Sequence, residues 1–160
     1  MKYLSMILLP IVILIVSCSA SGKIDCQGEL VYNPDSFTAE EQVWIQESAV
    51  RWNIWVGHKV MSASQGTRDS CFIRIGDLIP SHIGEEYHRL GRISLDTDKM
   101  KTRGVYDRDG FEGILMHEMG HSLGFSHIGA NGTALMSPSN ANDFTSIDRG
   151  ECVNLGICSQ

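Results

Sequence analysis

The chain begins with an apolar run, Leu4 to Val16, interrupted by Ser5 and carrying Pro10 inside it. Met1-Lys2 puts a positive charge in front of that run. The run is too short to span a bilayer, which takes about 20 residues, and it has the length of a signal-peptide core. From Ser19 to Gln27 the residues turn small and polar and read as a tether. Glu29-Leu30-Val31-Tyr32 suits a short strand, stopped by Asn33-Pro34. A helix comes next: Thr38 can cap it, and Glu41, three residues on, completes a capping box. Apolar residues recur at helical spacing at Val43, Trp44, Ala49, Trp52 and Trp55, with Ile45, Val50 and Ile54 widening the face and Gly57 as a stop. The three tryptophans are expected to pack against a sheet.

Strand signals then dominate. Lys59 to Ala63 is a weak strand, Ser64 to Asp69 a loop, and Cys71-Phe72-Ile73-Arg74-Ile75 a clearer strand of β-forming residues. Ile79 to Leu90 is irregular, and Gly91 to Thr97 reads as another strand. Asp98 to Arg108 is a charged loop. Asp109 can cap a second long helix, with Glu112 as its box partner and Ile114, Leu115, Met119 and Leu123 as its buried side. A last helix, capped by Thr145 or Ser146, contains Asp148, Val153 and Leu155. Helices and short strands in this order predict an α+β fold. The domain plan is a leader at 1–17, a tether at 18–28 and a single domain at 29–160, long enough for a real core.

The chemistry concentrates in His117-Glu118-Met119-Gly120-His121-Ser122-Leu123-Gly124-Phe125-Ser126-His127. Residues four apart stand one turn above each other on a helix, so His117 and His121 can share one metal ion. Glu118 projects from the neighbouring surface and can reach a water there without being a ligand. Gly124 can turn left-handed and reverse the chain, which would return His127 as a third ligand. Three protein nitrogens leave a fourth position open, the arrangement of a catalytic rather than a structural zinc. The bland alternative is a histidine-rich surface helix.

The stretch matches the pattern H-E-x-x-H-x-x-G-x-x-H at every fixed position and resembles the metzincin zinc endopeptidases. The resemblance implies a zincin-like fold: a long first helix, a small mixed, twisted sheet with an edge strand over the cleft, a zinc helix, a methionine turn and a short C-terminal helix. Ala134-Leu135-Met136-Ser137-Pro138 stands where the methionine turn belongs, with Met136 nine residues past His127. Pro138 occupies the place where astacin- and serralysin-type members carry a tyrosine, so the matrixin type is the closer comparison. Matrixins also resemble this chain in the run Gly91-x-Ile93-x-x-Asp96, which would be the sheet edge above the cleft, and in Thr145-Ser146-x-Asp148. The resemblance therefore implies a metalloendopeptidase: one catalytic Zn2+ held by His117, His121 and His127, and a zinc-activated water as nucleophile. Glu118 would be the general base, and an extended peptide would be the substrate. No cysteine-bearing inhibitory segment of the matrixin kind is expected.

Ile15-Val16-Ser17-Cys18 resembles a bacterial lipobox, which implies lipidation of Cys18 and anchoring to a bacterial membrane facing the periplasm or cell surface, the outer membrane favoured by Ser19. The plainer alternative is an ordinary signal peptide with Cys18 free. Export suits the remaining cysteines Cys26, Cys71, Cys152 and Cys158, an even number that can form disulfides. Four cysteines allow three pairings; Cys152 with Cys158 could close a small loop, and Cys26 with Cys71 would then tie the N-terminus to a strand. No pair has zinc-binding C-x-x-C spacing. His82 and His88 could serve a second, structural zinc but match no such pattern, and His58 sits at a helix end where a cation is favourable. Net charge is −6, one unit more negative once Lys2 leaves with the leader, which argues against nucleic-acid binding. A monomer is expected. Two other functions stay open: a zinc-holding surface lipoprotein that binds a protein partner without cleaving it, and a peptidase whose third ligand is a downstream glutamate, for which Glu151 is the available residue.

Overall fold

The computed structural model describes residues 28–67, 71–79, 81–87, 91–127, 135–137, 147 and 149–158; the leader, the tether up to Gln27 and Thr145, Ser146 and Asp148 lie outside them. The elements are β1 (Glu29–Tyr32), α1 (Ala39–Val56), β2 (Ser62–Gln65), β3 (Phe72–Ile75), β4 (Gly84–Tyr87), β5 (Arg92–Leu95), α2 (Thr97–Thr102), α3 (Arg108–Leu123) and α4 (Arg149–Asn154). The strands form a mixed sheet in the order β2-β1-β3-β5-β4. β2, β1, β3 and β5 run parallel, and β4 pairs antiparallel with β5. This is an α+β architecture, the expected coarse class, with a run of four strands between the first helix and the last three. Among the described residues no helix is long and apolar enough to cross a membrane.

The first helix forms as its sequence predicts. Thr38 Oγ1 accepts the Glu41 N–H at 3.2 Å, and Glu41 Oε2 accepts the Thr38 N–H at 2.7 Å. Gly57 leaves the helix left-handed. The buried face is narrower than the apolar pattern suggests. Trp44, Ile45, Ala49 and Trp52 are buried, whereas Val43 and Ile54 are 53% and 71% exposed. Trp52 clasps α3 as well as filling the core: its Nε1–H donates to the carbonyl of Met116 at 3.1 Å. Asn53 ties the exit of α1 to β2, accepting the N–H groups of Val60 and Met61 and donating to the Met61 carbonyl. That polar knot sets where β2 begins, three residues later than the sequence suggests.

Three expectations fail. The run Gly91 to Thr97 is not the sheet edge. β5 is flanked by β3 and β4, and Ile93 and Leu95 are buried in the core. The edge on this side is β4, inside the segment that reads as irregular. Gly84-Glu85-Glu86-Tyr87 has poor strand propensity, and pairing along β5 overrides it. The charged loop after Asp96 folds into α2, because Asp96 Oδ1 caps it by accepting the Lys99 N–H at 2.9 Å. The second long helix is capped by Asp107, which accepts the Gly110 N–H at 2.8 Å, not by Asp109. Glu112 is therefore free of any capping role. It is wholly buried and faces Arg108 Nε at 2.8 Å and Arg51 Nε at 3.0 Å, while Arg108 also reaches Glu47 on α1 at 2.6 Å. Burial pushes the Glu112 carboxyl above its usual range against the pull of the two arginines. This network joins α1 to α3 along their length.

A disulfide joins Cys152 and Cys158. Cys71 is disulfide-bonded too, to a cysteine outside the described residues.

Candidate metal centre

The C-terminal half of α3 presents His117 and His121 on one face, with Glu118 beside them. The helix ends at Gly124, whose φ of 100° turns the chain back. Phe125 secures the reversal: it is 2% exposed and its ring lies 5.4 Å from that of Trp52. His127 returns toward the helix in consequence. Its Nε2 stands 3.1 Å from Nε2 of His117 and 3.1 Å from Nε2 of His121. The candidate ligand atoms of the three residues all lie within 4.8 Å of one another.

The hydrogen bonds behind the rings set their tautomers. His117 Nδ1 is 2.7 Å from the Leu135 carbonyl, and His121 Nδ1 is 2.9 Å from the Phe125 carbonyl. A carbonyl only accepts, so each Nδ1 carries the proton and each Nε2 offers a lone pair. A single proton on His127 can serve only one of its two Nε2 contacts. A metal ion serves all three nitrogens at once. With zinc–nitrogen bonds of about 2.0–2.1 Å in tetrahedral geometry, neighbouring ligand nitrogens sit about 3.3 Å apart, close to the observed spacing. Three neutral imidazoles also suit other borderline transition metals, and the donor set fits a metal ion without naming it. Burial, helped by the two neighbouring histidines, pushes the pKa of His117 down to about 4 and keeps it in the neutral, ligating form.

Met136 lies in a turn at Leu135–Ser137 and is wholly buried. A Cβ on Gly120 would meet its Sδ at 2.4 Å, so the methionine packs directly on α3 one residue before His121. The same turn delivers the Leu135 carbonyl to His117. Leu135 is a ring-orienting residue that sequence reasoning missed, and its nearness to Met136 is the only hint the chain offers.

Glu118 is 6% exposed and is not among the converging ligands. It faces the edge strand. Gly84 of β4 leaves so little room that a Cβ there would stand 2.8 Å from Glu118 Oε1. The Glu86 backbone N–H donates to the Glu118 carboxylate. Burial, and then the negative charges of Glu86 and Glu85, push the Glu118 carboxyl up to about 8 against that hydrogen bond. A carboxyl so placed can take up and release a proton near neutral pH.

The other sequence candidates fall elsewhere. His82 lies 3.8 Å from the Glu85 carboxylate on an exposed segment; His88 is outside the described residues. Among the described residues, no second group of three or more potential ligands gathers. Glu151 lies in α4, and its side chain is not described. Cys18 and Cys26 are outside the described residues. No protein-family model matches the chain, and no curated protein matches its sequence.

Proposed function

We propose that the chain is a zinc-dependent endopeptidase of the metzincin kind, nearest the matrixin type, that hydrolyses extended peptides. The observation that carries this reading is the convergence of three histidine Nε2 atoms directly beside a buried glutamate that faces an edge strand. When bound, zinc supplies a Lewis acid that polarises a carbonyl and makes water acidic near neutral pH.

The protein's own groups do the rest. The Leu135 and Phe125 carbonyls hold two of the imidazoles in their ligating tautomer. Glu118 takes the proton of the attacking water and later delivers it to the leaving amine, which needs a carboxyl whose pKa lies near the working pH. Among the described residues β4 is the end strand of the sheet, and an extended substrate would lie alongside it, antiparallel, through backbone hydrogen bonds. The proposal includes export and lipid attachment at Cys18, which rest on the Leu4 to Cys18 pattern.

The decisive experiment compares the parent with Glu118→Ala for metal content and peptide hydrolysis. Zinc is expected at one per chain in both. Turnover is expected to fall on the order of 10² to 10⁴ in the variant, the usual contribution of a positioned base. A parent that holds zinc yet cleaves nothing in a broad peptide library would establish the binding-protein alternative instead.

A further inference from the structure

We propose that Lys99 is a built-in structural cation. Its ammonium takes the place of a bound divalent ion and clamps the segment that leads into β4.

The ammonium sits in an oxygen cage. Asp96 Oδ2 is 2.7 Å away, the Ile79 carbonyl 3.3 Å and Asp77 Oδ1 3.6 Å, and the Leu78 carbonyl is a direct hydrogen-bond partner. Two main-chain carbonyls and two carboxylates are the donors of a hard-cation site. The three N–H groups of the ammonium suffice for Asp96 and the two carbonyls without a metal, and Asp77 lies at ion-pair distance. Asp96 is committed to this arrangement. It is buried, its Oδ1 caps α2 through the Lys99 N–H, and its Oδ2 also accepts the Leu78 N–H at 3.3 Å. Those bonds hold its carboxyl below the usual range although burial opposes them.

What the cage holds explains why it is there. Among the described residues of 76–83, Leu78 is buried and Ile83 packs partly against the core, but Ile79 is largely exposed and Asp77 wholly so. The remaining ties are polar. The Gly76 N–H donates to the Leu95 carbonyl, Lys99 gathers the carbonyls of residues 78 and 79, and the Asp96 N–H donates to the Ile83 carbonyl. The segment is thus fastened at both ends to the turn between β5 and α2, and it hands the chain directly to Gly84. Without the ammonium, the buried Asp96 carboxylate would lose its closest cation and would face the two carbonyls with no charge between them, an unfavourable arrangement that another cation would relieve. Calcium has the coordination flexibility to enter such a cage. A further consequence, which rests on the endopeptidase reading, is that the clamp positions the rim against Glu118.

The test is thermal unfolding of the parent, Lys99→Met and Lys99→Arg, with zinc held constant and calcium either absent or millimolar. The parent is expected to be indifferent to calcium. Lys99→Met is expected to melt at least about 4 °C lower and to recover part of that loss in calcium, a recovery abolished by adding Asp96→Asn. Lys99→Arg, which keeps the positive charge, is expected to stay indifferent. A parent stabilised by calcium as much as Lys99→Met overturns the proposal. So does a Lys99→Met variant that melts with the parent or gains nothing from calcium. If Lys99→Met folds in neither buffer, Lys99→Arg decides: a folded, calcium-indifferent protein supports the built-in cation, and failure like that of Lys99→Met refutes it. These readouts need no activity, so they stand apart from the endopeptidase proposal.

Discussion

The histidine end of α3 and the strand that lies against it are built by different means. At the histidine end almost everything is local. Two ligands share a helix face, Gly124 reverses the chain, and the carbonyl that orients His121 belongs to Phe125, four residues on. From farther away come Leu135, on a buried turn packed against Gly120, and Trp52, whose ring packs on Phe125. The rim has no such local logic. β4 is remote in sequence from Glu118, has poor strand propensity, and depends on β5 and on polar ties to Asp96 and Lys99. The lesson is a division of labour: the candidate metal site is embedded in the core, while the surroundings of Glu118 depend on a lightly buried edge. The two can therefore be broken separately.

The largest effect is expected at the ligands. His121→Ala and His127→Ala should each lower zinc affinity by more than the roughly 10–100-fold that follows loss of an outer hydrogen-bond partner. Zinc-dependent gain in melting temperature should disappear with it, because metal binding stabilises only the state that holds the site. Elemental analysis and melting curves with and without zinc check this. If His127→Ala keeps its zinc, the third ligand is elsewhere and Glu151 becomes the residue to test.

Gly84→Ala attacks the other region. The new methyl would stand 2.6 Å from Ile114 Cγ2 as well as close to Glu118, so β4 must move away from α3. Zinc content should stay near the parent's. Turnover should fall by as much as about 10², the cost of misplacing a catalytic group by an ångström. Equal losses of metal and activity would show that the two regions are not separable.

Gly120→Ala tests how firmly the histidine end is embedded. Its Cβ would meet Met136 Sδ at 2.4 Å and Trp52 Cζ2 at 3.2 Å. Overpacking there should cost about 1–3 kcal/mol, and Met136→Ala in the same chain should relieve part of it, as read by denaturant unfolding.

The smallest effect concerns a contact remote from both regions. The Tyr106 hydroxyl donates to Glu41 Oε1 at 2.6 Å, joining the start of α1 to the chain entering α3. Burial, and then Glu41, push the phenol up to about 12. The folded state thus keeps this proton more tightly than the unfolded chain does. The contact's stability is fully present below pH 10 and is lost as pH rises toward about 12. Tyr106→Phe should remove that part of the alkaline loss and cost about 1 kcal/mol at neutral pH, leaving zinc content unchanged.

How much of this the chain announces depends on the range of the forces involved. The α1 cap at Thr38 and Glu41, the helix stops at Gly57 and Gly124, and the convergence of His117, His121 and His127 all follow from contacts within about ten residues, where helical periodicity and left-handed glycine act directly. The Cys152–Cys158 bridge is equally short-range. Other features were settled only by packing. Asp107 rather than Asp109 starts α3, and Glu112 lies in the core, where it meets Arg51 and Arg108. Val43, Val50 and Ile54 face solvent, because the sheet and α3 cover a narrower stripe of α1 than its apolar residues offer. β4 becomes the edge strand, and β5 an interior one, through hydrogen bonds between segments that carry no mark of each other. Sequence by itself determined the candidate ligands, since His117 and His121 are neighbours on a helix face and Gly124 turns His127 back toward them. Only the tertiary structure decided what faces Glu118, since a backbone N–H on a distant strand has no signature in the residues that carry it.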